Sequence, residues 1–219
     1  VLISNYNLLI DQFKKLKYSV KIEKINNINI NFKSKSLKVL NVDLKFKDSF
    51  NIPTKNASKF VISSLKLAHN LALGNDVKGI INCAIDKKLI NKKNFGVTEF
   101  LASMCGLKNK SEVMLIRNNN FAVTPITTHV DIRNISKNLK KGVIINKIKT
   151  LNIWFKKNFK KKPRLGVLGL NPHNAELRKE SEEKRLIIPV IQKIKKLGIK
   201  INGPLVADTV FIKDYKNYD

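Results

Sequence analysis

Cysteine and arginine are both scarce in this chain of 219 residues, and each shortage excludes a class of function. Two cysteines, Cys83 and Cys105, are too few for a disulfide framework or a zinc cluster, so a reducing compartment is the simpler setting. Only five of the 43 basic residues are arginine. A formal net charge of +27 would ordinarily point to nucleic acid, because neutralised phosphates supply most non-specific affinity. Lysine, however, lacks the forked guanidinium that reads base edges or grips a phosphate in two-pronged fashion. Here it is spread among abundant Asn and Ile, as an A+T-rich genome would spell any protein. The charge is therefore read as codon bias on solvated faces, with no specific nucleic-acid partner. The densest basic run, 156–164, reads as an exposed corner at a helix end. No apolar run approaches the length of a membrane span and no signal peptide opens the chain, which makes cytoplasm the default location and a membrane partner unexpected. There is no Gly-x-Gly-x-x-Gly after the first strand and no phosphate loop ending in Gly-Lys-Ser or Gly-Lys-Thr, so a conventional dinucleotide fold is unsupported. The chain opens inside a strand-like run and closes on 215–219 without a final element, so a fragment at both ends is expected.

What is present is a hydrophobic content of 43%, enough to bury a real core. Short β-branched runs alternate with longer periodic segments, which predicts an α/β fold with a largely parallel sheet flanked by helices. Residues 1–4 read as a strand and 7–16 as a helix; 37–46 alternates in strand fashion; 56–73 reads as a helix closed by Gly74. Residues 77–85, VKGIINCAI, read as a buried strand. A short helix over 96–106 has Thr98 available to cap its first turn and Gly106 to end it. Two strand-like pieces, 112–117 and 121–130, flank an Asn-Asn-Asn turn as a hairpin would. The spacing predicts one long helix over 136–159, a strand over 164–170, a helix over 181–198 bent at Pro189, and a last strand over 199–203.

In a parallel α/β sheet, functional groups gather beyond the carboxyl ends of the strands. Two of the three histidines, His129 and His173, end strand-like runs, and neutral imidazoles from two strand ends can share one divalent ion. Pro172 biases Asn171 towards an extended conformation, which puts His173 on a stiff stalk. Each histidine also reads as a half-buried hydrogen-bonding residue, and His69, inside a helix, reads as structural. Asp208 follows a third strand end, where a carboxylate can orient a ligand or a water; it equally reads as an N-cap for a turn starting at Thr209. Thr98 and Glu99 read as a helix start. Neither cysteine has a histidine nearby in sequence, so a thiol nucleophile has no specific warrant.

Taken together, GVTEFLA (96–102), TTHVDIRNI (127–135), LGLNPHNAE (168–176), IIPVI (187–191) and INGPLVADTVF (201–211) resemble one family, the 4-hydroxythreonine-4-phosphate dehydrogenases of vitamin B6 biosynthesis. The stretches occur in the family's order across essentially the whole chain, most specifically at TTH, LNPH and GPLxADTxF. The resemblance implies a fold similar to isocitrate and isopropylmalate dehydrogenases, a single unit over 1–219 with two interleaved lobes, truncated at its C-terminal end. These dehydrogenases bind NAD (or NADP) without the glycine fingerprint. It also implies a homodimer with its active site at the interface, and a divalent cation (Zn, Mg or Co) held by three histidines. His129 and His173 match two of those metal ligands; the third is expected beyond Asp219, so the chain by itself is expected to be inactive. Thr98 matches a substrate-contacting Thr, and Asp208 is the catalytic candidate in the pocket.

The implied reaction is oxidation of the secondary alcohol of 4-phosphooxy-L-threonine, followed by decarboxylation to 3-amino-2-oxopropyl phosphate. Three departures bear on the substrate. Val97 stands where the family usually has His, Asp86 precedes Lys87 where His-Lys is common, and Asn174-Ala175 replaces the more usual Ala-Gly. A sister dehydrogenase for threonate or erythronate phosphate, and a basic remnant without catalysis, stay open as alternatives.

Overall fold

A β-branched run becomes a strand only where a neighbour completes its hydrogen bonds, and the first such neighbours lie far apart in sequence. In the computed structural model, Leu2–Ser4 (β1), Ile22–Ile25 (β2) and Leu37–Asn41 (β3) form a parallel sheet in the order β1-β3-β2, with Leu2 opposite Val39 and Ile25 opposite Leu40. The residues described are 1–28, 35–74, 77–90, 96–107, 111–128 and 130–219, without the side chain of Lys213. They divide into two units, Val1–Gly106 and Leu107–Asp219.

In the first unit β3 is central and its Val39 is fully buried. The helix Tyr6–Lys15 (α1) starts at Asn5, whose Oδ1 accepts the Leu8 N–H at 2.9 Å while its Nδ2 donates to the Val42 carbonyl at 2.9 Å. One buried side chain thus caps the helix and ties it to the chain leaving β3. The helix Thr54–Leu73 (α2) turns Leu65 and His69, one turn apart, into the core. Gly74 follows it in an extended conformation (φ −73°, ψ 169°), so the helix ends without the left-handed cap that a terminal glycine suggests. The expected strand over 77–85 does not form. No ladder partner runs beside it among the described residues, and Ile81 is fully exposed. Asp86 caps the short turn that follows, accepting the Lys88 N–H at 2.9 Å. The helix Val97–Met104 (α3) is capped at Gly96, whose N–H donates to Glu99 at 2.9 Å; Thr98 lies in its first turn, exposed, and does not cap it.

The second unit opens with an antiparallel hairpin, Ile116–Arg117 (β4) and Ala122–Val123 (β5), shorter than the sequence suggested. The expected single helix over 136–159 is two, Ile135–Asn138 (α4) and Lys141–Phe159 (α5). Leu139 and Lys140 between them are extended, and Leu139 is buried in the core. Then Leu165–Leu168 (β6), the helix Ile188–Lys196 (α6) and Ile201–Leu205 (β7) make a parallel βαβ unit. Its core joins Ile144 and Ile148 of α5 to Val190, Ile191 and Ile194 of α6 and Ile201 of β7.

Pro189 does not kink α6. A proline lacks the N–H and crowds the carbonyl four residues back. The turn before it, Glu183–Ile187, is a wide π turn in which the Ile188 N–H reaches the Glu183 carbonyl, so the obstruction is absorbed in one loosened turn. Gly203 (φ +137°) lets β7 approach β6 closely, since a Cβ there would stand 2.4 Å from the Val167 carbonyl oxygen. The basic run 156–164 is more than a solvated corner. Lys161 Nζ (2.8 Å) and the Arg164 backbone N–H (2.9 Å) and guanidinium (3.3 Å) donate to Asp219, whose side chain is 9% exposed. Burial pushes that carboxyl up, but these donors hold it well below the usual carboxylate range. No helix among the described residues is long and apolar enough to cross a membrane.

Candidate functional site

The carboxyl ends of β6 and β7 lie side by side, and the chain leaves them in two different ways. After β7 it enters the helix Ala207–Lys213 (α7), with Val206 at the N-cap and Asp208 in the first turn, so Asp208 is not the cap that its position before Thr209 suggested. After β6 it passes Gly169 and Leu170 and reaches Asn171, extended as expected at φ −97°, ψ 151° ahead of Pro172. The next five residues, His173 to Leu177, all hold left-handed conformations, with φ between 49° and 56°. Only glycine and, less readily, Asn visit this region without strain, so the turn must be imposed by its surroundings.

Those surroundings are three polar side chains. Glu183, completely buried, accepts the Leu170 N–H at 2.7 Å and the Asn171 N–H at 2.8 Å on one oxygen and the Asn171 amide at 3.0 Å on the other. Glu182 accepts the same Asn171 amide at 2.9 Å and the Ser136 hydroxyl. Asn174 donates to the Pro204 carbonyl at 3.1 Å, linking the turn to β7. Burial pushes the Glu183 carboxyl up, but the Asn171 N–H and amide and the Leu170 N–H outweigh it and leave the group below its usual range. The Ser136 hydroxyl and the Asn171 amide hold Glu182 below its usual range as well. Glu183 is therefore a buried anion held by dipoles; among the described residues it forms no ion pair.

The turn presents His173 outwards. Its Nδ1 faces Asp208 Oδ2 at 4.0 Å, with side-chain exposures of 74% and 51%. This is beyond a hydrogen bond but within ion-pair range. No described residue bonds Nε2. A carboxylate facing one imidazole nitrogen while the other stays open is how a histidine is oriented towards a cation, and a nitrogen and oxygen set suits Zn²⁺, Co²⁺ or Mn²⁺. The residues present fit such an ion as part of a site. Among the described residues no three His, Cys, Asp or Glu side chains gather to complete one. His129 lies outside the described residues. Thr98 belongs to the first unit.

Alongside β6 the second unit holds a mostly apolar cavity of about 410 Å³, with Phe121, Ile126, Leu168, Leu170, Phe211 and Tyr215 on its walls. It suits carbon rather than phosphate. In the first unit His69 is buried with Nδ1 3.4 Å from Asn70 Oδ1 and Nε2 3.4 Å from Cys105 Sγ, so that cysteine has an imidazole beside it in space though none nearby in sequence.

Sequence reasoning missed Glu183 and Asn171 as supports of the site. The only signal was the paired Glu182-Glu183, which reads as the polar first turn of a helix.

Comparison with known proteins places these features in a family. The model of the pyridoxal phosphate biosynthetic protein PdxA family matches residues 1–219. A 4-hydroxythreonine-4-phosphate dehydrogenase of Aquifex aeolicus is 35% identical over 167 residues, covering 73% of this chain and 51% of that protein. One from Sulfurihydrogenibium sp. is 30% identical over 218 residues, covering 96% of this chain and 66% of that protein. The chain thus spans between half and two thirds of the length of these relatives. Among solved structures, a 4-hydroxythreonine-4-phosphate dehydrogenase from Klebsiella pneumoniae superposes with a TM-score of 0.82 at 22% identity, over 96% of this chain and 66% of that one. Another from Burkholderia phymatum gives 0.82 at 23% identity, over 100% and 68%. At such identities these structures establish the α/β fold alone.

Proposed function

The chain belongs to the PdxA family of pyridoxal phosphate biosynthetic proteins, and on that premise we propose that it works as a 4-hydroxythreonine-4-phosphate dehydrogenase. The substrate is 4-phosphooxy-L-threonine, the oxidant NAD or NADP, and the product of oxidation a β-keto acid that decarboxylates to 3-amino-2-oxopropyl phosphate. The observation that carries this reading is the facing pair His173 and Asp208 beyond two parallel strand ends.

In this reading His173 offers Nε2 to a divalent cation and His129 supplies a second ligand. Asp208, whose carboxylate faces Nδ1 at 4.0 Å, favours by its charge a proton on that nitrogen and so leaves Nε2 free to coordinate. A cation held there would supply Lewis acidity at the substrate hydroxyl and a counter-charge for the negative charge left by decarboxylation. Thr98 contacts substrate through its exposed hydroxyl. The left-handed turn holds the imidazole still, which matters because a ligand held in place loses no freedom on binding. The assembly is a cytoplasmic homodimer with its active site at the interface; the dimer and its shared site rest on the family alone.

Substrate-dependent NADH formation by the full-length protein tests the reading, with 4-phosphooxy-L-threonine, threonate phosphate and erythronate phosphate compared at a fixed concentration of Zn²⁺ or Co²⁺. A clear preference for the first is expected. Preference for either of the others reassigns the substrate, in line with Val97 and Asp86. Absence of cation binding by calorimetry removes the metal-dependent mechanism.

A further inference from the structure

We propose that Glu183 is a positioning residue: its buried carboxylate closes the turn that carries His173 and thereby sets how well the imidazole meets a cation. This rests on the reading of His173 as a ligand.

A completely buried carboxylate with no ion-pair partner among the described residues is retained only where several dipoles converge on it. Here the Leu170 N–H, the Asn171 N–H and the Asn171 amide do so, and all three belong to the two residues leading into Pro172 and His173. Glu183 thus fixes the entry to a run of five left-handed residues that would not persist unaided. Its own place is set by the wide turn Glu183–Ile187, the kind of local irregularity that often marks functional sites.

The contact also demands an anion. Gln at 183 keeps one acceptor oxygen for the two backbone N–H groups, but its NH₂ then meets the NH₂ of Asn171. Turning the Asn171 amide over relieves that clash only by aiming its oxygen at Glu182. Every arrangement leaves one repulsive or unmade contact.

The test compares the intact chain with Glu183→Gln, Glu183→Asp and His173→Ala. Two readouts are used: amide hydrogen exchange at Leu170, Asn171 and the core helix α6 without metal, and Zn²⁺ affinity by calorimetry. For Glu183→Gln, exchange at Leu170 and Asn171 is expected to accelerate roughly 10- to 100-fold while α6 keeps its protection. Zn²⁺ binding should weaken by about 10- to 100-fold, with Glu183→Asp falling between Gln and wild type. Unchanged protection at Leu170 and Asn171 overturns the proposal. So does faster exchange that rises in step with α6, because Glu183 would then merely stabilise the unit. If His173→Ala binds Zn²⁺ as tightly as wild type, the ligand reading fails, and the exchange comparison alone decides whether Glu183 fixes the turn. Should Glu183→Gln not fold, Glu183→Asp, which keeps the charge but draws it back by one methylene, carries the same comparison.

Discussion

Gly169→Ala puts a methyl group into the most crowded point of the site. A Cβ there would stand 2.0 Å from Asn174 Oδ1 and 3.3 Å from Glu183 Oε1, the first well over an ångström inside the optimum of about 3.5 Å. Asn174 must swing away, and its hydrogen bond to the Pro204 carbonyl goes with it. Overpacking costs about 1–3 kcal/mol and the lost bond about 0.5–1.5 kcal/mol, so the second unit should lose about 2–4 kcal/mol in urea unfolding. The cause is specific, because the methyl group meets the Asn174 side chain before any other. Removing that side chain in a Gly169→Ala/Asn174→Ala double variant opens the space that the new methyl needs. The double variant should therefore be more stable than the sum of the single effects by at least about 1 kcal/mol. Strict additivity within about 0.5 kcal/mol, or a Gly169→Ala variant as stable as wild type, refutes the reasoning.

Other expectations follow from the same geometry. His173→Ala should leave the circular dichroism spectrum and the unfolding midpoint close to wild type, because the side chain is 74% exposed, while Zn²⁺ heats vanish in calorimetry. Asp208→Asn should keep the fold and weaken Zn²⁺ binding by about 10- to 100-fold; equal affinity would remove Asp208 from the site. Ile194→Ala, at a fully buried position, should cost about 2–5 kcal/mol in urea unfolding, and a loss below 1 kcal/mol would contradict the core described. Asp219 has a depressed folded pKa, so its stabilisation is complete above the ordinary carboxylate value and disappears as pH falls through the lower folded value. Unfolding from pH 5 downwards should accordingly show wild type losing stability more steeply than Asp219→Asn, and parallel curves would count against the clamp by Lys161 and Arg164.

The elements that local chemistry determines were legible in the sequence. Helix α1 has its apolar positions at helical spacing, the hairpin β4–β5 has its Asn-rich turn, and β6 leads visibly into Asn-Pro-His. Where partners decide, the reading failed. The run 77–85 is as apolar as a buried strand, but composition cannot supply a neighbouring ladder. The periodicity of 136–159 runs smoothly through Leu139 and Lys140, although the backbone there is extended to let Leu139 enter the core. The positions of His173 and Asp208 beyond two strand ends were legible because strand ends are marked by composition. Glu183 was not, since a glutamate near a helix start is ordinarily a solvated dipole partner, and only the three-dimensional path of residues 170–171 reveals it as buried.

The wide turn at Glu183–Ile187 is in effect a helix carrying one residue too many. Deleting one residue between Glu183 and Pro189 would close it to an ordinary α turn, and the Pro189 ring, which has no N–H, would then crowd the carbonyl four residues back without the slack that now absorbs it. No substitution at 184–187 does this. The segment should consequently tolerate changes of residue far better than changes of length, and a survey of natural variants should find insertions and deletions absent from 183–189 even where the side chains there drift.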